Sequence, residues 1–404
     1  MRRSILVLGS LVLAATSYSV FLYAITENLY TFNAAAAAAA AGFEGVDTIR
    51  ASKNPQKAHL PPICSDEQLA TMLYQLPAEM CENKNKSPWT NECSFSYATR
   101  CPDAVWLTDY YTNMGKGLVS KEDRPRNAIY VGCNKGMDAI NTLRMMSSNP
   151  GVDKHTWKTA FFDGQTVIAG HCKQELVEQF SISDTEQTPT IVHCIEAMPV
   201  TAHQLAATAE KLNLNNELIV QNAAMSSSDG TAWFPDMEGK VGVETAGLDN
   251  CAKDKNMCKE IPQYTLDTYV GKFIANDGLI DFLSIDVEGF DWEVILGAGD
   301  VLTRVRYLEF EYNWKGPWGK HLLSTAILKL QRKGFICYWA GTDSHIWRIT
   351  GCWLDHFDLK FWSNVACVHH EHDAVADRME ELFMKTLAKG RTVRYHNRST
   401  VNSD

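Results

Sequence analysis

The run Ile280-Asp281-Phe282-Leu283-Ser284-Ile285-Asp286-Val287-Glu288-Gly289 decides how the rest of the chain is read. Phe282, Leu283, Ile285 and Val287 make a short apolar, β-prone stretch that reads as a buried strand. Side chains alternate across a strand, which puts Ser284, Asp286 and Glu288 on one face. Carboxylates there are costly to bury unless paired or liganded. In an open α/β sheet, ligands sit beyond the carboxyl ends of the strands. Asp286 and Glu288 are therefore the candidate catalytic residues. The plainer alternative is that Asp286 caps the turn and Glu288 is solvated. Gly289 permits a tight exit, and Asp291 is placed to cap a helix starting at Trp292.

Working outward, the same strand-then-site pattern recurs. Ala128-Ile129-Tyr130-Val131 reads as a strand, followed by the turn Gly132-Cys133-Asn134-Lys135-Gly136 and helical spacing over 137–146. Strand, glycine turn, helix is how a backbone approaches a bound nucleotide or nucleoside. The pentapeptide also serves as a plain turn, since it is neither GxGxxG nor GxxxxGK[ST]. Residues 190–196 form a second predicted strand, ending in Glu196, with a helix over 199–212. A carboxylate at that place in a nucleoside-binding unit accepts hydrogen bonds from ribose hydroxyls. A third strand over 217–224 carries Asn222 and Ala223. Thr265 or Asp267 caps a short helix. Residues 305–312 alternate as a fifth strand, 321–333 form an amphipathic helix, and 335–339 with 345–349 read as an antiparallel edge hairpin. A last helix covers 371–388. Residues 147–189 read as a polar insertion apart from 166–169, and 240–263 as a surface excursion. Alternating strand and helix over 127–333 predict a mostly parallel sheet with helices on both faces. Glu309, Glu311 and His321 are second-tier candidates, with plainer readings as structural strand acids and a helix-start histidine.

The ends are different in kind. Arg2 and Arg3 precede a run without charge over 4–25, about the length that spans a bilayer as a helix. Residues 1–26 are expected to be a signal-anchor transmembrane segment, giving a single-pass type II membrane protein whose body faces the lumen of the endoplasmic reticulum or Golgi. A cleaved signal peptide, and hence a secreted form, is the alternative. Residues 27–60, with eight consecutive alanines at 34–41, read as a linker or stem. Residues 61–126 are an N-terminal extension, 127–370 the main domain, and 371–404 a C-terminal helix and tail. All twelve cysteines follow the anchor, where an oxidising lumen favours disulfides. Cys251 and Cys258 are spaced for a small stapled loop, whereas Cys133, Cys194 and Cys337 lie in apolar runs and read as buried thiols. No CxxC pair is present, so structural zinc is not expected. The net charge of -10, with no long basic run, argues against a nucleic-acid partner.

These stretches in order resemble the FkbM family of S-adenosylmethionine-dependent methyltransferases. The resemblance rests on Tyr130 to Gly136, on Val192-His193-Cys194-Ile195-Glu196-Ala197-Met198-Pro199, on Asn222-Ala223-Ala224, and most specifically on Thr265-Leu266-Asp267-Thr268-Tyr269 followed by 280–289 and Glu293-Val294-Ile295-Leu296-Gly297-Ala298. It implies a Rossmann-like class I methyltransferase fold with a seven-stranded sheet. It also implies that S-adenosylmethionine is the cofactor. Gly132 and Gly136 would lie against its methionine part with Tyr130 near its amino group, Glu196 at its ribose, and Asn222 with Ala223 near its adenine; Asn134 would be a further cofactor-binding residue. The family usually has an acid where Tyr130 stands and a lysine where Ser284 stands. The implied activity is O-methylation of a glycan or other hydroxyl-bearing substrate, with Asp286 or Glu288 as base or as ligands of a metal; whether a metal is used stays open. A fold that binds a ligand without catalysis is the alternative. The anchor, stem and Asp286-Val287-Glu288 also suit a glycosyltransferase, which the glycine turn and Glu196 argue against.

Overall fold

The computed structural model describes residues 63–81, 126–146, 154–163, 166–167, 190–237, 240–243, 251, 256–274, 278–340, 346–358, 360, 363–371 and 373–389. The expected anchor over 1–26, the stem over 27–60 and most of the 61–126 extension lie outside these residues. Among the described residues, no helix is long and apolar enough to cross a membrane.

The helices are α1 Asp66–Cys81, α2 Met137–Met146, α3 Lys154–Phe161, α4 Pro199–Lys211, α5 Leu266–Phe273, α6 Asp291–Leu296, α7 Leu323–Arg332 and α8 Asp373–Lys389. The strands are β1 Asn127–Val131, β2 Thr166–Val167, β3 Ile191–Glu196, β4 Leu218–Asn222, β5 Ala224–Met225, β6 Gly230–Pro235, β7 Lys240–Val241, β8 Cys258–Tyr264, β9 Phe282–Ile285, β10 Tyr307–Tyr312, β11 Phe335–Ala340, β12 Ile346–Arg348 and β13 Ser363–His369.

Eight of these strands form one sheet in the order β12-β11-β13-β10-β9-β1-β3-β4. The five from β4 to β10 are parallel, and β13, β11 and β12 then alternate antiparallel. The central strands are buried, as a parallel sheet with helices on both faces requires. In α7, Leu323, Ala326, Ile327 and Leu330 are buried at a helical stride, the stripe that seats an amphipathic helix on a sheet.

The alternation of strand and helix over 127–333 predicted the parallel half, and the 335–349 hairpin does pair antiparallel at the sheet edge. The expected count of seven strands is corrected to eight, and the sheet is mixed. Strand β13 inserts between β10 and β11, and β12 adds a three-residue edge. The 147–189 insertion contains a real helix, α3, whose Trp157 and Phe161 are buried. The 240–263 excursion is not all surface, because β8 pairs along its length with β6 and joins β5 in a separate sheet.

Two motif residues hold this frame together. Thr265 caps α5, its Oγ1 accepting the Thr268 N–H at 3.1 Å. Asp267 instead accepts three backbone N–H groups, from Gly299, Asp300 and Val301, at 2.9 to 3.1 Å. It thereby fixes the turn that leads from α6 toward β10. Asp291 is not the cap it was expected to be. It is the first residue of α6, fully buried, and its two oxygens accept the Gly289 N–H and the Glu311 N–H, both at 3.2 Å.

Four disulfides join described cysteines. Cys251–Cys258 closes the expected small loop, and Cys64–Cys352 ties the chain two residues before α1 to the segment after β12. Cys133–Cys194 and Cys337–Cys367 correct the reading of Cys133, Cys194 and Cys337 as buried thiols. Cys337 and Cys367 are direct partners across β11 and β13, a relationship visible only once the register is known.

Candidate active site

The carboxyl ends of four of the parallel strands gather the glycine turn, Glu196, Asn222 and the acid turn. The 132–136 turn follows β1, Glu196 ends β3, Asn222 ends β4, and Asp286 follows β9. These are joined by direct contacts. The Asp286 N–H donates to the Val131 carbonyl at 2.9 Å. Gly132 has φ +86, and a Cβ built on it would lie 1.8 Å from the Asp286 carbonyl oxygen. A side chain here would collide with the β9 tip, and the positive φ is the conformation that glycine permits. Gly136, at φ +71, is likewise closed in by Leu205 and Trp157.

Glu196 is 7% exposed and clamps the turn. One oxygen accepts the Asn134 N–H at 2.7 Å and the other the Met198 N–H at 2.8 Å. Burial pushes its carboxyl up from the ordinary range, against the opposing pull of these N–H groups. The Ala197 N–H pulls the same way, and a carboxylate with about four acceptor directions keeps capacity beyond these three N–H groups. Asn222 turns its amide back onto the carbonyls of Glu196 and Ala197, at 2.8 and 3.1 Å, and Ala223 is buried. Asn134 adopts φ +49, and its side-chain oxygen is buried without a hydrogen-bond partner. A buried, unsatisfied acceptor in a turn at a sheet's ligand edge suits a donor on a bound molecule. The residues present therefore fit a nucleoside-type ligand: an orphaned acceptor at Asn134 and spare capacity on Glu196.

Tyr130 is buried. Its hydroxyl shares a hydrogen bond with Thr142 of α2, and its ring stacks on Phe282 at 5.3 Å.

The acid end of β9 differs from the alternation expected of it. The strand stops at Ile285, and Asp286 and Glu288 stand on the turn. Glu288 is left-handed, at φ +56, and Gly289 at φ +98 packs against the Lys315 backbone. Asp286 is exposed, whereas Ser284 is buried. Lys315, which sequence reasoning missed, reaches over from beyond β10 to pair with Glu288. Burial alone would lower its ammonium, but the hydrogen bond and charge of Glu288, with Glu311 and Asp286, outweigh that and hold it above its usual value. Beneath this pair, Glu311 accepts the Asn313 amide at 2.6 Å. Burial, then the negative charge of Asp286, pushes both Glu311 and Asp291 well above the carboxylate range. The site thus has an outer layer of Asp286, Glu288 and Lys315 over an inner layer of two buried carboxyls, Glu311 and Asp291, whose charged forms burial disfavours. His321 stands apart on the ring of Trp292. Glu309 lies half-buried in the sheet, accepting the Tyr307 hydroxyl at 3.0 Å. Among the described residues, no group of three or more His, Cys, Asp and Glu is arranged to hold a metal ion.

Residues 180–337 match the family described as Methyltransferase FkbM domain. That span contains Glu196, Asn222, Asp286 and Lys315 and leaves the 132–136 turn outside it. No curated protein gave a significant match. Among solved structures, the METTL16 MTase domain is 8% identical, with 65% of this chain covering 64% of that one at a TM-score of 0.29. The N-terminal domain of human METTL16 in complex with SAH is 10% identical, with 73% of this chain and 81% of that one covered, at 0.28. An O-methyltransferase from Bacillus cereus in complex with SAH is 11% identical, with 76% and 92% covered, at 0.24. None of these structural likenesses carries an argument about this chain.

Proposed function

We propose, from the premise that residues 180–337 form an FkbM methyltransferase domain, that the protein is an S-adenosylmethionine-dependent O-methyltransferase acting on a glycan hydroxyl in the secretory pathway. The observation that carries the reading is the meeting of the glycine turn and the acid turn. Gly132 and Asp286 touch through their backbones at the ligand edge of a sheet whose family is that of methyltransferases.

S-adenosylmethionine supplies an electrophilic methyl group on a sulfonium. The chain's own residues then have three tasks. Asn134 and Glu196 hold the donor, the first with its orphaned oxygen and the second with its remaining acceptor directions. Asp286, exposed at the tip, accepts the proton that the acceptor hydroxyl must release. Lys315 holds Glu288 and fixes the wall beside Asp286, so that attacking oxygen and base are aligned, which is the main contribution open to a protein in a displacement of this kind.

The lumenal setting is supported by the four disulfides among the described residues, which persist in oxidising compartments. Anchorage through residues 1–26 belongs to the same proposal, as does the choice of a glycan acceptor. The test is calorimetry with S-adenosylhomocysteine, followed by a methyl-donor assay over a panel of glycans. One-to-one binding and methylation of a sugar hydroxyl are expected. A well-folded protein that binds no S-adenosylhomocysteine would leave a ligand-binding member without catalysis.

A further inference from the structure

We propose that the Cys133–Cys194 disulfide is a positioning element for the methyl donor, holding the 132–136 turn in its binding shape before the ligand arrives. This rests on the reading that the turn holds the donor.

The disulfide lies inside the site. Cys133 is the second residue of the turn, and Cys194 stands on β3 two residues before Glu196. In the β1–β3 ladder, Tyr130 pairs with Cys194 and Val131 with Ile195. The chain must therefore bend back immediately after β1 to bring Cys133 over Cys194, with a Cα separation of 5.3 Å. The bend is visible in the hydrogen bonds: Gly132 N–H and Cys133 N–H both donate to the single carbonyl of Ile195, at 2.9 and 3.1 Å.

The strands themselves do not need the link. β1 and β3 are already joined through five registered pairs. What the link adds is restraint of the turn, and the turn is the part in need of it. Gly132, Asn134 and Gly136 have φ of +86, +49 and +71. Glycine visits many other conformations when unrestrained, and asparagine leaves this region readily. Two ties flank the central residue: the sulfur bridge at Cys133 and the Glu196 carboxylate on the Asn134 N–H. Together they hold the orphaned Asn134 oxygen in place. The other three disulfides among the described residues bind elements remote from this turn.

The experiment is isothermal calorimetry of S-adenosylhomocysteine with the full chain, comparing oxidised wild type with Cys133→Ala/Cys194→Ala. Re-ordering about one residue of the turn on binding corresponds to an affinity loss of about tenfold. A Kd raised by that factor with unchanged stoichiometry is expected. A purely structural role would instead lower the stoichiometry, as molecules unfold, and leave Kd alone; that result, or an equal Kd and stoichiometry, overturns the proposal. Absence of binding by the oxidised wild type would instead remove the donor reading itself.

A second measurement needs no variant. Dithiothreitol exchanges with the disulfide, giving two protein thiols and the cyclic oxidised reagent, and alkylation with mass spectrometry reports the Cys133 thiol. Because coupling is reciprocal for equilibria, saturating S-adenosylhomocysteine lowers the equilibrium fraction of reduced Cys133–Cys194 in a dithiothreitol redox buffer, its reduction constant falling about tenfold, and leaves Cys251–Cys258 unaffected. An equal reduction constant with and without it overturns the proposal even if the double variant fails to fold.

Discussion

Tyr130 on β1 and Ser284 on β9 stand directly opposite each other in the parallel ladder. The two positions where the chain differs from the acid and lysine usual in the FkbM family, which it resembles, therefore face each other across one ladder. An acid and a lysine at these two positions would be placed to pair across the ladder. The tyrosine takes up the space by stacking on Phe282 and by bonding Thr142.

Restoring half of such a pair should be worse than restoring both. Tyr130→Asp alone buries a carboxylate without its cation and should cost about 3–5 kcal/mol. Adding Ser284→Lys should recover about 1–3 kcal/mol of this through coupling. Urea unfolding of both single variants and the double variant closes the cycle. Strictly additive effects would show that the two positions do not interact.

Gly132→Ala should damage the fold and the site together. The new Cβ meets the Asp286 carbonyl, and φ +86 is unfavourable for alanine by at least about 1–2 kcal/mol before the collision is counted. Both the melting temperature and S-adenosylhomocysteine affinity are expected to fall. Loss of affinity with an unchanged melting temperature would instead mean that the glycine only keeps space for a ligand.

Asp286→Asn should separate turnover from donor binding. Losing a general base lowers single-turnover methyl transfer by about 100-fold, while the Kd for S-adenosylhomocysteine stays within about threefold. Lys315→Met should also lower turnover without weakening donor binding, because it releases Glu288 from its ion pair. Wild-type rates in both variants would exclude the acid turn from the chemistry.

Glu309 gives a pH-dependent test. Burial raises its carboxyl from 4.5 to about 7, with Asp138 adding to the rise and the Tyr307 hydroxyl opposing it. Between those two values, the folded chain keeps a proton that the unfolded chain has lost. Stability from this group therefore falls as pH rises through the window and is level above it. Glu309→Gln removes the loss. The variant should gain about 3 kcal/mol over wild type at pH 8 and nothing at pH 4, measured by denaturant unfolding. An equal difference at both pH values would place the ordinary carboxylate pKa at this position.

The parallel half of the fold was legible because its signals are local. Helix α2 and the apolar core of β9 follow from spacing alone, and the acid tips of β3 and β9 point to the ligand edge. What was missed depends on distant parts of the chain. Ser363–His369 has no turn chemistry that announces where it pairs, and its place between β10 and β11 is set by neighbours far away in sequence. Cys133 and Cys194 look like ordinary apolar-run cysteines until the bend after β1 brings them together. Lys315 had one available signal: it follows an alternating strand at the edge where the other candidates end. Glu196 was read as a ligand residue, and its first task proved to be holding backbone.

The Cys64–Cys352 bridge has a consequence for biogenesis. Its two cysteines are 288 positions apart. At roughly 5–20 residues per second of synthesis, Cys64 waits on the order of 15 to 60 s before its partner has been made. During that interval it is a reactive thiol among cysteines that emerge sooner, and α1 cannot be fastened to the domain it covers. Maturation of the correctly bridged protein should therefore depend on thiol-exchange catalysts that undo early mispairing, and the final covalent closure becomes a checkpoint passed only after nearly the whole domain has been built.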